Sequence, residues 1–267
     1  IGAWAAILLL YLTFGLALAL FEELMNGGPH WMFAPIGTLI LLPALIELRP
    51  LIARIRPVFI WGGAADLFLI GWAAVALTPA YSADRQQQFT IEYVWDADSQ
   101  AGRWAINNDG ARVFHAADWA REELPYSTRR RWVTDAPDLP VDPPGLTVVG
   151  AARSGSERRL RLRLASNGAE AITLIAPREA QASFVYGDNE RMGAREAHRA
   201  VYRCTGRSCD GATVDLVISR AEAAELIVVG TRSGLPDAAA PLVAARPPNA
   251  RPQYGNDSTI TISRPRL

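Results

Sequence analysis

The sequence predicts a transmembrane α-helical anchor of about three helices followed by an all-β antiparallel sandwich of jelly-roll type. Three observations lead there. Residues 1–79 hold three long apolar runs with few charges, residues 80–267 have the mixed charge of a domain in water, and from Gln86 onward hydrophobic side chains recur at every second position. The chain has 267 residues, half of them hydrophobic, and this average conceals two segments built for different solvents.

The first run, IGAWAAILLLYLTFGLALALF at residues 1–21, carries no charge. At about 1.5 Å per residue it crosses a hydrocarbon core roughly 30 Å thick. The second, residues 31–48, contains Pro35 and Pro43, so it is expected to span with a kink, neighbouring helices covering the freed carbonyl groups. The third, residues 58–77, has the required length and contains Asp66. The opening IGAWAAILLL has neither an initiating Met nor a charged segment before its apolar run, so it is expected to continue a longer polypeptide and not to be a signal peptide.

Orientation follows from charge. The loop RPLIARIRP between the second and third runs carries Arg49, Arg54 and Arg56, whereas EELMNGGPH between the first and second has no basic residue other than His30. Short arginine-rich loops stay in the cytoplasm, which delivers the chain after Pro79 to the extracytoplasmic side. Residues 80–85 then form a linker, with Tyr81 at headgroup level. Cys204 and Cys209, the only cysteines, lie in CTGRSCDG among turn formers and suit a disulfide in an oxidising compartment. Two free thiols, or half of a zinc site with His198, are the alternatives; structural zinc takes about four ligands and a fourth is not evident.

The domain at 86–267 shows strand periodicity throughout. Phe89, Ile91, Tyr93 and Trp95 alternate with Thr90, Glu92 and Val94; Leu160, Leu162 and Leu164 alternate with Arg159, Arg161 and Arg163; TVDLVIS and STITIS follow. TDAPDLPVDPPG, SNGAE, GDNERMG and RPPNARPQYGND separate them as turns. Short strands, Pro- and Gly-rich connections and little helical periodicity make a sandwich.

Chemistry is harder to find. Charge is balanced at 27 basic and 27 acidic residues, all the basic ones arginine, so no nucleic-acid partner is expected. His30, His115 and His198 are the only histidines and stand apart. Glu122 and Glu123 are adjacent carboxylates in a polar loop, better read as solvated than as an acid and base pair. No G-x-S-x-G elbow, P-loop or G-x-G-x-x-G is present. The arginines at 159, 161 and 163 read as the wet face of a sheet, with a grip on phosphate or anionic lipid as the alternative, and RRRW at 129–132 as a contact for lipid headgroups. Asp66 alone invites a functional reading within the apolar region, since an ionisable group roughly 12 Å inside a span must face protein or a wet cavity. No residue of the chain is assigned a catalytic or metal-binding role.

The order of parts, with LTPAYSADRQQQFTIEYVWDAD, GRWAINNDG, ELPYSTRRRWV and GLPDAAAPLVAARPPNARP, resembles the C-terminal region of membrane-anchored zinc exopeptidases, bacterial relatives of the vacuolar membrane protease and the endoplasmic reticulum metallopeptidase. The resemblance implies an upstream aminopeptidase-like domain binding two zinc ions, a multi-spanning region, and a β-rich domain on the non-cytoplasmic side. Zinc and peptide hydrolysis would then belong to the upstream domain, and this chain would have as partners the lipid bilayer and that domain. The alternative is a membrane-tethered binding module for peptide or glycan, presenting Trp95, Trp104, Trp119 and Trp132 as an aromatic platform.

Overall fold

The structure, a computed structural model, describes residues 2–24, 42–44, 46–50, 53–77, 81–83, 86–108, 118–186, 190–191, 194–196, 199–219, 225–253 and 255–267. The chain divides into two units, Ile1–Gln86 and Gln87–Leu267.

In the first unit, predominantly apolar sequence gives α1 (Gly2–Leu24), which has Glu22 and Glu23 near its end, and α2 (Pro57–Leu77), which holds Asp66. Pro57 occupies the first helical position of α2, where its missing N–H leaves no hydrogen bond unmade. The Phe59 N–H donates to the Arg56 carbonyl at 3.0 Å. Residues 57–74 are long and apolar enough to cross a membrane, and none of them is buried within the protein. The apolar stretch of α1, Ala5–Phe21, is shorter; at 1.5 Å per residue it covers about 25 Å of a roughly 30 Å core. Of the expected second span, residues 42–44 and 46–48 are helical and the others lie outside the described residues. One helix among the described residues is thus long and apolar enough to cross a membrane, where the sequence suggested about three.

The second unit is two stacked sheets. The large one runs in the order β10 (Ala194–Glu196), β11 (Arg199–Thr205), β7 (Ala171–Ala176), β13 (Ile227–Ser233), β15 (Ser258–Ser263), β1 (Gln87–Asp96), β2 (Ala101–Asn108), β4 (Arg131–Ala136), β3 (Ala120–Glu122), with β14 (Ala250–Arg251) also on β1. The small one runs β5 (Gly145–Ser154), β6 (Glu157–Ala165), β12 (Thr213–Ile218), β8 (Ala182–Tyr186), β9 (Glu190–Arg191). The small sheet is antiparallel, as expected. The large sheet is not: β1 pairs in parallel with both β14 and β15. The sheet is therefore mixed, because the last strand inserts beside the first instead of closing a hairpin.

Between the sheets, Leu160, Leu162, Leu164, Phe184 and Leu216 of the small sheet meet Ile172, Leu174 and Val228 of the large one, all at 0–1 % exposure. The alternation in β6 thus places leucines inward and arginines outward. β1 departs from its pattern: nine of its ten residues are buried, because a central strand has cover on both faces. On its front face, Phe89, Ile91, Tyr93, Trp95, Trp104 and Ile106 form a second core with Ala239 and half-buried Leu139, Val141, Leu235 and Leu242. Leu242 belongs to the short helix α3 (Ala240–Ala244).

The proline-rich segment TDAPDLPVDPPG does more than turn. It crosses the front face as a strap from β4 to β5, and the Tyr93 hydroxyl donates to the Pro137 carbonyl at 3.0 Å while accepting from the Leu139 N–H at 2.9 Å. Glycines allow the close approach. A Cβ at Gly230 would lie 2.5 Å from Thr261 Oγ1 and 2.6 Å from Pro144 Cδ. The crossing from β11 to β12 is closed by a Cys204–Cys209 disulfide with Cα atoms 5.6 Å apart.

Two stability measurements follow. Gly230→Ala is expected to cost about 1–3 kcal/mol in chemical denaturation by overpacking the strap; an unchanged midpoint would mean that Pro144 does not sit on β13. Replacing both cysteines by serine is expected to cost about 2 kcal/mol through the entropy of a short loop, read as a lower midpoint at unchanged denaturant slope.

Candidate functional site

On the back face of the large sheet, Val94, Ala105, Val133, Ile175, Val201, Val229, Ile260 and Ile262 make a third apolar cluster. A bare sheet face of this kind must be covered, and ELPYST at residues 123–128 lies across part of it. Leu124 is 3 % exposed there, and Tyr126 packs beside it.

Tyr126 reaches a carboxylate that the alternating pattern of β1 put on a polar face. Glu92 is 8 % exposed, flanked in register by Ala105 and Ser258. The Tyr126 hydroxyl donates to Glu92 Oε2 at 2.7 Å, and Arg131 Nε stands 3.7 Å from the same oxygen. Arg131 also donates from Nη1 to Asn107 Oδ1 at 2.7 Å. Burial raises the Glu92 pKa above the ordinary carboxylate value, against the opposing pull of Arg131 and the hydrogen bond from Tyr126. Burial, with the facing Glu92 charge, pushes Tyr126 well above the usual phenol range. Tyr126 is thereby fixed as a neutral donor, and the cluster pins the 123–128 segment to the sheet. Around it, Arg103 pairs with Glu122 at 3.1 Å and Arg130 with Glu123 at 3.4 Å; both acids sit in solvated ion pairs.

The pinned segment forms one side of a groove of about 680 Å³. Leu124, Pro125 and Tyr126 line that side, Ile175, Val201 and Ile227 lie on the sheet beneath, and Glu123, Arg178, Glu179 and Arg203 carry charges of both signs at the lining. The lining thus mixes apolar and polar side chains in about equal measure. Sequence reading missed it because its parts come from three distant segments.

The residues singled out in the sequence do not gather here. Cys204 and Cys209 are bonded to each other, so neither thiolate is available to a metal. Among the described residues no three His, Cys, Asp or Glu side chains converge on a metal position, and His30, His115 and His198 lie outside those residues. Asp66 is exposed near the middle of α2, and Arg49, Arg54 and Arg56 are exposed just before that helix. Trp95 and Trp104 are 2 % and 6 % exposed, and Trp119 and Trp132 pack against the same core. These four rings do not form an open aromatic platform.

Two substitutions separate pinning from mere packing. The raised Glu92 pKa means that this residue favours the folded state fully below its unfolded value, near 4.5, and that this contribution is lost as pH rises through the higher folded value. Glu92→Gln should therefore remove that decline from the stability–pH profile. Tyr126→Phe should cost about 1–3 kcal/mol and raise the Glu92 pKa further by NMR titration; no movement of that pKa would show that the hydrogen bond is not made. No protein-family model matches this chain, and no curated protein is significantly similar to it.

Proposed function

We propose that this chain is the non-catalytic membrane anchor and extracytoplasmic β-domain of a zinc-dependent exopeptidase whose hydrolytic centre lies upstream. The observation that carries the reading is an apolar helix with no residue of its 57–74 window buried, followed after residues 78–86 by a disulfide-closed sandwich. A long, uncovered helix whose only charged residue is Asp66 needs hydrocarbon around it. Residues 1–21 and 31–48 supply the remaining spans in this reading.

The arginines support its orientation. Arg54 and Arg56 directly precede α2, at the end of a helix dipole that favours negative charge. Helix stability does not account for them there, whereas retention of a basic loop in the cytoplasm does. The disulfide then falls in an oxidising space. The sequence resemblance supplies the peptidase, and the chain's own residues supply position and a groove.

A second reading has one observation in its favour. The groove between the 123–128 segment and the back face has the size and lining for an extended peptide, so a tethered peptide-binding module fits the same architecture without an enzyme attached. The buried tryptophans withdraw support from a glycan platform.

The reading is tested by fusing alkaline phosphatase or green fluorescent protein to Leu267 in bacterial cells and assaying the purified chain with aminoacyl-peptide substrates and zinc. We expect an active phosphatase, a dark fluorescent protein and no hydrolysis. A fluorescent fusion would reverse the topology, and zinc-dependent hydrolysis by this chain alone would end the division of labour.

A further inference from the structure

The β5–β6 hairpin is strongly basic. Residues 145–165 include Arg153, Arg158, Arg159, Arg161 and Arg163 against a single acidic residue, Glu157. Asp215 on the neighbouring strand removes one more charge and leaves a formal excess of three. Its carboxylate, 11 % exposed, lies beneath the arginines and accepts from Arg159 Nη2 at 2.8 Å and Arg161 Nε at 2.9 Å. Asp215 is held below the usual carboxylate range by the hydrogen bond from Arg161, assisted by Arg159. It therefore stays charged and holds the two guanidinium groups at the surface, where their side chains are 41 % and 62 % exposed. Arg153 and Arg163 have no side-chain partner among the described residues.

Next to this charge lies an apolar edge. β5 is the outermost strand of the small sheet, and Val148 and Val149 are 42 % and 50 % exposed. Val148 pairs with Leu162 and so lies on the leucine face, whereas the register shifts between Val148 and Gly150, so a bulge displaces Val149 from the regular alternation and re-aims it. A ten-residue edge with exposed valines and no acidic side chain is a liability in water unless something covers it.

We propose that the β5–β6 hairpin is a second membrane contact, in which the arginines bind phosphates of anionic lipids and the bulged Val149 enters the headgroup layer. Guanidinium forks match phosphate in geometry as well as charge, and an aliphatic side chain beside them gains from leaving water. The occupant is a bilayer because the chain brings its own: only residues 78–86 separate α2 from β1, and such a tether extends at most about 30 Å. The effective concentration of lipid surface around the sandwich is accordingly high. This inference rests on α2 spanning the bilayer.

The test uses the full chain in nanodiscs of phosphatidylcholine with and without phosphatidylglycerol, carrying an environment-sensitive fluorophore on Val149→Cys with the native disulfide left oxidised. Co-elution of chain and discs is checked first, and its failure defeats the anchor reading. With the chain inserted, we expect a blue shift and loss of quenching by an aqueous quencher in the anionic discs only, reversed by salt. Both should disappear in Arg159→Gln/Arg161→Gln/Arg163→Gln. If that variant does not fold, salt reversal in the labelled chain with its arginines intact decides the matter. Equal quenching in both lipids, or a blue shift indifferent to lipid charge and salt, overturns the inference while the anchor stands.

Discussion

The parallel pairing of β1 with β15 is the constraint on which the outer domain depends. It joins the first strand of the sandwich to the last, Glu92 facing Ser258 and Asp96 facing Ile262 in register. Its ends are tied by side chains. Asp257 accepts the Ile91 N–H at 2.9 Å, a contact spanning 166 residues, and Arg264 pairs with Asp96 at 2.9 Å. Burial works against the charge on Asp96, yet the hydrogen bonds and charge of Arg264 outweigh it and keep that carboxyl below its ordinary value. A parallel pair needs a long crossover, and here the whole domain between Asp96 and Ser258 is that crossover. Such a contact is paid for in loop-closure entropy before it returns any stability.

From this pairing comes the burial of β1 on both faces. Its front face carries the aromatic core under the proline strap. Its back face carries Glu92, which has no water to solvate it and takes a tyrosine and an arginine instead. The groove therefore has a wall set by a buried polar contact, while the sandwich core sits on the opposite side of the sheet. In the proposed exopeptidase, such a domain contributes a held surface and a tether rather than reacting groups.

Much of this was legible in the sequence, and the exceptions share one cause. Leu160, Leu162 and Leu164 alternate with arginines because the strand has one wet face, and local pattern suffices there. Glu92 alternates in the same way with Ile91 and Tyr93, yet its face is dry; what covers it is Tyr126, 34 residues on. Parallel insertion of STITIS left no mark, since a strand's partner is not encoded in its own periodicity. PDLPVDPPG reads as a turn because proline and glycine mark turns, but the same residues make a stiff strap when Leu139 and Val141 find a core beneath them. In the first unit, apolar length alone suggested three spans, and only α2 meets that criterion among the described residues.

The central claim is that lipid solvates α2 while β1 and β15 together close a separate domain in water. Amide hydrogen exchange of the full chain in lipid nanodiscs tests it most directly, because water is excluded from a spanning helix and the central strands open only with the whole domain. The account predicts slow exchange over Pro57–Leu77 and, in the sandwich, slowest exchange in β1 and β15. Amides of α2 that exchange in the disc as fast as those of an unstructured peptide, or a β15 that opens before the edge strand β5, would contradict it.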